Sequence, residues 1–182
     1  MVHRTQSSKS WFGRVAGVLG LVAMLVLCGC MRSSSAHAYG PAPEFVGIQG
    51  WLNSPPLSIE SLRGKVVLVE FWTHRCINCL HVLPHTVQWH ERYKDRGLVV
   101  VGIHTPETEE EGEVPGLQAT MRELGVSFPV ALDNGYATWN AYGNQYWPAY
   151  YLVNREGEVV RKHVGEGDYT ATEAAIVELL GQ

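Results

Sequence analysis

Apolar and polar positions fall into two rhythms along this chain, and the places where one gives way to the other mark its elements. Lys65 to Trp72 is an almost unbroken apolar, β-prone run, which predicts a central strand buried on both faces. An amphipathic stretch from Cys76 to Arg96 predicts a helix, with Gly97 as its stop. Pro84 lies inside that helix and is expected to kink it. Leu98 to Ile103 is a second buried strand, so these three elements form a right-handed βαβ unit. The acidic stretch Glu107 to Glu113 reads as a solvated loop. Pro115 to Leu124 predicts a short helix ended by Gly125, Pro129 to Leu132 a short strand, and Tyr136 to Tyr142 another short helix. Ala149 to Val153 and Glu158 to Val164 are strands joined by the turn Asn154-Arg155-Glu156-Gly157, where glycine supplies the unusual dihedral. Thr170 to Leu180 closes the chain as a helix, with Thr170 as N-cap.

The first residues follow neither rhythm. Arg4, Lys9 and Arg14 give a positive flank, and Val15 to Leu27 is apolar but shorter than the ~20 residues of a comfortable span. Leu27-Cys28-Gly29-Cys30 resembles the bacterial lipobox, which implies cleavage before Cys30 and a lipid on its sulfur. Ala36-His37-Ala38 offers a rival cleavage site, and an uncleaved anchor is a third option. All three place the globular part outside the cytoplasm, on the periplasmic side, where disulfides persist. Arg32 to Pro43 is rich in Ser, Ala, Gly and Pro and reads as a tether. The expected organisation is a signal peptide over 1–29, a flexible tether over 30–43 and one domain over 44–182. The three charges of residues 1–29 are all basic, so the remainder carries 11 basic against 18 acidic side chains. That balance argues against a nucleic-acid partner, which needs a basic surface.

Of the four cysteines, Cys28 leaves with the signal and Cys30 carries lipid, which leaves Cys76 and Cys79 in the domain. Two cysteines two residues apart at a strand-to-helix junction are placed to make and break one disulfide. Cys76 at the helix N-terminus is the expected attacking thiol, because unpaired N–H groups and the helix dipole favour a thiolate there. Cys79, one turn further in, is the expected resolving thiol. A zinc half-site would need two more ligands at matching spacing, and no second cysteine pair exists. Ile77 and Asn78 between the cysteines are uncharged, which fits a moderately reducing couple. Glu70 sits inside an otherwise apolar strand, where a carboxylate is expensive unless protonated or paired. It either lies behind the cysteines or turns to an edge pocket with Arg63 or Lys65.

The order β-α-β-α-β-β-α resembles a thioredoxin fold with an insertion between its βαβ and ββα halves: an α/β domain with a central mixed sheet flanked by helices. Over Glu44 to Leu180 the chain resembles the exported thioredoxin-like TlpA/ResA group, and most of all the redox domain of DipZ-type, CcdA-fused membrane proteins. The resemblance is carried by Val69-Glu70-Phe71-Trp72, Cys76-Ile77-Asn78-Cys79, Leu132-Asp133-Asn134, Ala137-Thr138-Trp139-Asn140-Ala141-Tyr142-Gly143, Tyr146-Trp147-Pro148 and Gly165-Glu166-Gly167. It implies that Glu70 exchanges a proton with Cys79. It also implies that Pro148 is cis and faces the CxxC, while the backbone at Trp147 pairs with an extended substrate. Trp72 is expected to shield the disulfide from below, and Asn134 and Tyr136 to line an outer groove. The acid often found three residues after the second cysteine is Val82 here.

These features add up to a monomeric, membrane-anchored thiol–disulfide oxidoreductase that needs no dissociable cofactor. Family resemblance suggests that it passes electrons from a CcdA-like membrane reductant to exported protein thiols, as in cytochrome c maturation. Two alternatives stand beside it. Thr73, three residues before Cys76, resembles the TxxC of peroxiredoxins, although Val69 replaces the expected proline, so a thiol peroxidase is one. His81 and His85 share a helix face near the cysteines, so a Cu(I)-binding metallochaperone is the other.

Overall fold

The structure, a computed structural model, describes Met1, His3 and residues 39–181. The expected signal peptide, the Cys30 lipidation site and most of the tether lie outside the described residues. Contacts divide the chain into two units, Met1–Ser35 and Ala36–Gln182, and the sheet belongs to the second. Its elements are β1 (Gly40–Pro41), β2 (Gly50–Leu52), β3 (Val66–Trp72), α1 (Ile77–Tyr93), β4 (Leu98–His104), α2 (Val114–Leu124), β5 (Val130–Leu132), α3 (Ala137–Ala141), β6 (Ala149–Val153), β7 (Glu158–Val164) and α4 (Tyr169–Leu180). The strands lie in the order β1-β7-β6-β3-β4-β5-β2. β3, β4 and β5 run parallel, and β6 and β7 form an antiparallel hairpin on β3. This is the expected thioredoxin fold, with β3-α1-β4 and β6-β7-α4 as its halves and α2, β5 and α3 inserted between them. Among the described residues, no helix is long and apolar enough to cross a membrane.

All seven residues of β3 are buried, and their two-residue period sorts them between two cores. Val66, Leu68 and Trp72 pack with Leu83 and Trp89 of α1, Leu117 of α2 and Ile176 of α4. Val67, Val69 and Phe71 pack with Ile59, Leu62 and Trp139 of α3. Each such side chain contributes roughly 1.5–3 kcal/mol by leaving water. Glu70 shares the parity of Leu68 and Trp72 and is therefore directed toward α1. Gly102 of β4 makes room for Trp72, since a Cβ there would lie 2.7 Å from the indole Nε1. Asp133 explains one of the sequence motifs: its buried carboxylate accepts the Thr138 and Trp139 N–H groups at 3.1 and 2.8 Å and so caps the start of α3.

Several boundaries differ from the sequence expectation. The sheet begins at Gly40 rather than near Glu44, so residues 40–43, assigned to the tether, belong to the fold. Tyr39 N–H donates to Val159 O at 2.7 Å and Ala42 N–H to Gly157 O at 2.9 Å, and this covers the outer edge of β7. β2, also missed, covers the other edge by pairing with β5. α1 runs through Pro84 and gives way to a 3₁₀ turn before Gly97, which adopts φ 102°. Thr170 is not the N-cap of α4. Asp168 holds that position with a left-handed backbone and no side-chain cap, and Thr170 lies within the first turn.

Candidate active site

β3 ends at Trp72 and α1 begins at Ile77, so the loop 73–76 carries the first cysteine to the helix N-terminus. Cys76 is the residue before the helix, with an extended backbone and no side-chain cap bond. Its carbonyl accepts the Leu80 N–H at 3.0 Å, which leaves the first-turn N–H groups of a 17-residue helix unpaired beside it. Cys76 is half-buried and Cys79 has no exposed surface. Both are free thiols in this structure. Burial pushes the Cys79 thiol above its ordinary range; the Thr73 backbone opposes this, and the nearby Cys76 and Glu70 charges add to it. One thiol of the pair is thus presented to partners, and the other is kept protonated inside.

Glu70 is completely buried, and neither carboxylate oxygen has a hydrogen-bond partner. It does not turn to an edge pocket with Arg63 or Lys65. Burial pushes its pKa up to about 8, with the Thr86 hydroxyl a smaller opposing influence. A carboxyl of that kind is mostly protonated at neutral pH and can take up or give back a proton near it. Trp72 is fully buried in the same core as Cys79, consistent with a packed floor below the cysteines.

The Trp147–Pro148 peptide bond is cis. Pro148 is buried and its carbonyl accepts the Gly165 N–H at 2.8 Å, which ties it to the Gly165-Glu166-Gly167 motif. The Trp147 indole donates to Thr105 O at 2.9 Å and packs on Trp139 with ring centroids 4.1 Å apart. Asn134 and Tyr136 line an outer groove of about 370 Å³ together with Pro106 and Glu107. The two α1 histidines that share a face are engaged elsewhere: His81 with Glu166 at 3.3 Å, and His85 in a 3.8 Å stack on Tyr169.

A buried polar cluster escaped the sequence. The stretch Glu107 to Glu113 is not a solvated loop throughout: it forms a short 3₁₀ turn, Glu109–Gly112, that buries Glu111 to 4% exposure. Glu111 accepts the Thr73 hydroxyl and the Glu107 N–H, the latter at 3.1 Å. Thr73 Oγ1 lies 3.4 Å from His104 Nε2, which in turn lies 3.2 Å from His74 Nδ1. Burial lowers the pKa of both histidines, that of His104 to about 3, so the pair is neutral at physiological pH. The available signal was the parallel register, which sets His104 beside Trp72 at the C-terminal ends of neighbouring strands, where α/β sheets build their sites.

Comparison with known proteins agrees with this geometry. A model of the AhpC/TSA family matches residues 40–162. The protein DipZ of Mycobacterium tuberculosis is 52% identical over 152 residues, which cover 81% of this chain and 22% of the relative. The chain thus spans about a fifth of that protein's length. The thiol-disulfide oxidoreductase ResA of Halalkalibacterium halodurans is 30% identical over 114 residues, covering 63% of this chain and 62% of the relative. The crystal structure of the thioredoxin-like superfamily protein SPOA0173 superposes with a TM-score of 0.72 at 30% identity, over 79% of this chain and 97% of its own. With a matching family model, a shared fold and a free CxxC pair at the head of α1, the chain belongs to the AhpC/TSA family as a thioredoxin-like thiol–disulfide oxidoreductase.

Proposed function

We propose that this protein is an exported reductant of protein disulfides, held at a membrane through a lipid on Cys30. The observation that carries this reading is the vertical arrangement of the site: a half-buried Cys76, a buried Cys79, and a buried carboxyl without a partner on the α1 side of the sheet. The Cys76 thiolate attacks a substrate disulfide, forming the Cys76–substrate bond and releasing one substrate thiolate. In its ionised form, populated as pH approaches about 8, Glu70 takes the Cys79 proton, and the Cys79 thiolate attacks the Cys76 sulfur. The Cys76–Cys79 disulfide forms, the second substrate thiolate leaves, and both substrate thiolates are protonated. The substrate lies along Trp147 and Pro148, and the exposed apolar side chains of Ile77 and Tyr146 are available to it. A CcdA-like membrane protein returns the two electrons. Proteins of cytochrome c maturation are the substrate class that the resemblance favours.

Replacing Cys79 by serine removes the resolving step and leaves attack intact. Cys79→Ser is therefore expected to accumulate mixed disulfides through Cys76 with exported proteins, visible as reductant-sensitive adducts on non-reducing gels. If Cys79→Ser forms no adduct where Cys76 is still present and reactive, the two-step exchange is wrong. Membership of the AhpC/TSA family favours one second reading, a thiol peroxidase. It requires consumption of hydrogen peroxide with Cys76 as the only needed cysteine.

A further inference from the structure

We propose that Glu111 is a positioning residue for Cys76, acting through Thr73 and the His104–His74 pair. The inference rests on Cys76 being the attacking thiol. The three residues before Cys76 cross from strand to helix outside either ladder, so something else must fix them. Two of the three, Thr73 and His74, are buried and tied to partners beyond the loop. Thr73 donates to Glu111, which belongs to the insertion, and His74 meets His104 at the end of β4. α2 closes on the same group, since a Cβ at Gly116 would come 3.0 Å from His74 Nε2. Arg75, the third, reaches Glu110 at 3.5 Å, in the same turn as Glu111.

The protons fit one arrangement best. Thr73 gives its only O–H to Glu111, so toward His104 it can only accept. A proton on His104 Nε2 then faces His74 Nδ1 and Thr73 Oγ1 as two acceptors. His104 Nδ1, which is buried and has no partner, is left as a bare acceptor rather than an orphaned N–H. Glu111 anchors this chain from outside, because Oε2 takes both the Thr73 hydroxyl and the Glu107 N–H. The groups facing the histidine pair are thus Glu111, Arg75 and Trp72, together with Glu110 beyond Arg75. A bond to a buried carboxylate is among the stronger neutral-to-charged contacts, and its loss orphans the hydroxyl and the amide together.

The test uses the full chain with alkylation of Cys76 by iodoacetamide, measured from pH 5 to 10 and resolved by peptide mass spectrometry so that Cys28 and Cys30 are counted apart. Glu111→Ala is expected to slow Cys76 alkylation at pH 7 by about tenfold and to move the midpoint of its pH profile. Glu111→Gln keeps an oxygen where both donors need it and is expected to stay within about twofold of the parent. Thr73→Ser likewise retains the parent profile and Thr73→Val loses it, which keeps the test open should Glu111→Ala fail to fold. An unchanged Cys76 profile in a folded Glu111→Ala or Thr73→Val would overturn the inference, and so would a Glu111→Gln as impaired as the alanine variant. Cys76→Ser serves as the separate control: retained disulfide exchange there would sink the proposed function itself, whatever Glu111 does.

Discussion

Cys76→Ser is expected to lower disulfide reduction by on the order of a thousandfold or more, measured as insulin reduction with dithiothreitol as the electron source. A serine hydroxyl does not ionise near neutral pH, and an alkoxide is not exchanged against a disulfide. Cys79 cannot take over, because it has no exposed surface and burial holds its thiol protonated. The same substitution leaves the fold intact, since Cys76 precedes the helix, makes no side-chain cap bond and is only half-buried. Cys28 and Cys30 remain in every variant, so any rate they carry appears equally in all of them. A variant that keeps more than a tenth of the parent rate at unchanged stability would show that another thiol attacks.

Glu70→Gln is expected to change how stability depends on pH, by up to roughly 5 kcal/mol across the range. The Glu70 carboxyl titrates at about 8 in the folded protein against an ordinary 4.5. Between those values the unfolded chain has lost the proton and the folded one has kept it. Stability from this group is therefore full below about pH 4.5 and is lost as pH rises through about 8. Glutamine has nearly the same shape and never ionises, so its stability lacks this slope. The parent loses ground against Glu70→Gln between pH 5 and pH 9, as read by urea denaturation of both proteins in dithiothreitol. A stability difference that stays flat over that range would mean that Glu70 is ionised and paired in the fold. The same variant slows the resolving step, because Cys79 then lacks its proton acceptor, and the pH–rate profile loses its midpoint near 8.

Much of this was legible before the structure, for identifiable reasons. β3, β4, β6 and β7 announce themselves because burial on one or both faces leaves a pattern in consecutive residues. The CxxC pair is a local motif, and its placement needs only the strand before it and the helix after it. Glu70 stood out because a charge inside a buried run conflicts with its surroundings, but its direction was left open until the structure put Leu68 and Trp72, which share its parity, in the core on the α1 side. β1 and β2 left no such mark, because two or three residues cannot show a period and their partners lie more than 75 residues away. Glu111 was hidden for a different reason. It sits among five glutamates between 107 and 113, of which water solvates most. Only the approach of Thr73, 38 positions earlier in the chain, singles it out.

The most direct measurement is the reduction potential of the Cys76–Cys79 couple. The full chain is equilibrated in dithiothreitol or glutathione buffers, and the two cysteines are counted as thiol or disulfide by alkylation and mass spectrometry. The account predicts a two-electron couple near that of thioredoxin, about −270 mV, suited to donating electrons to exported disulfides. A value near about −120 mV would contradict it and make this protein an oxidant that inserts disulfides.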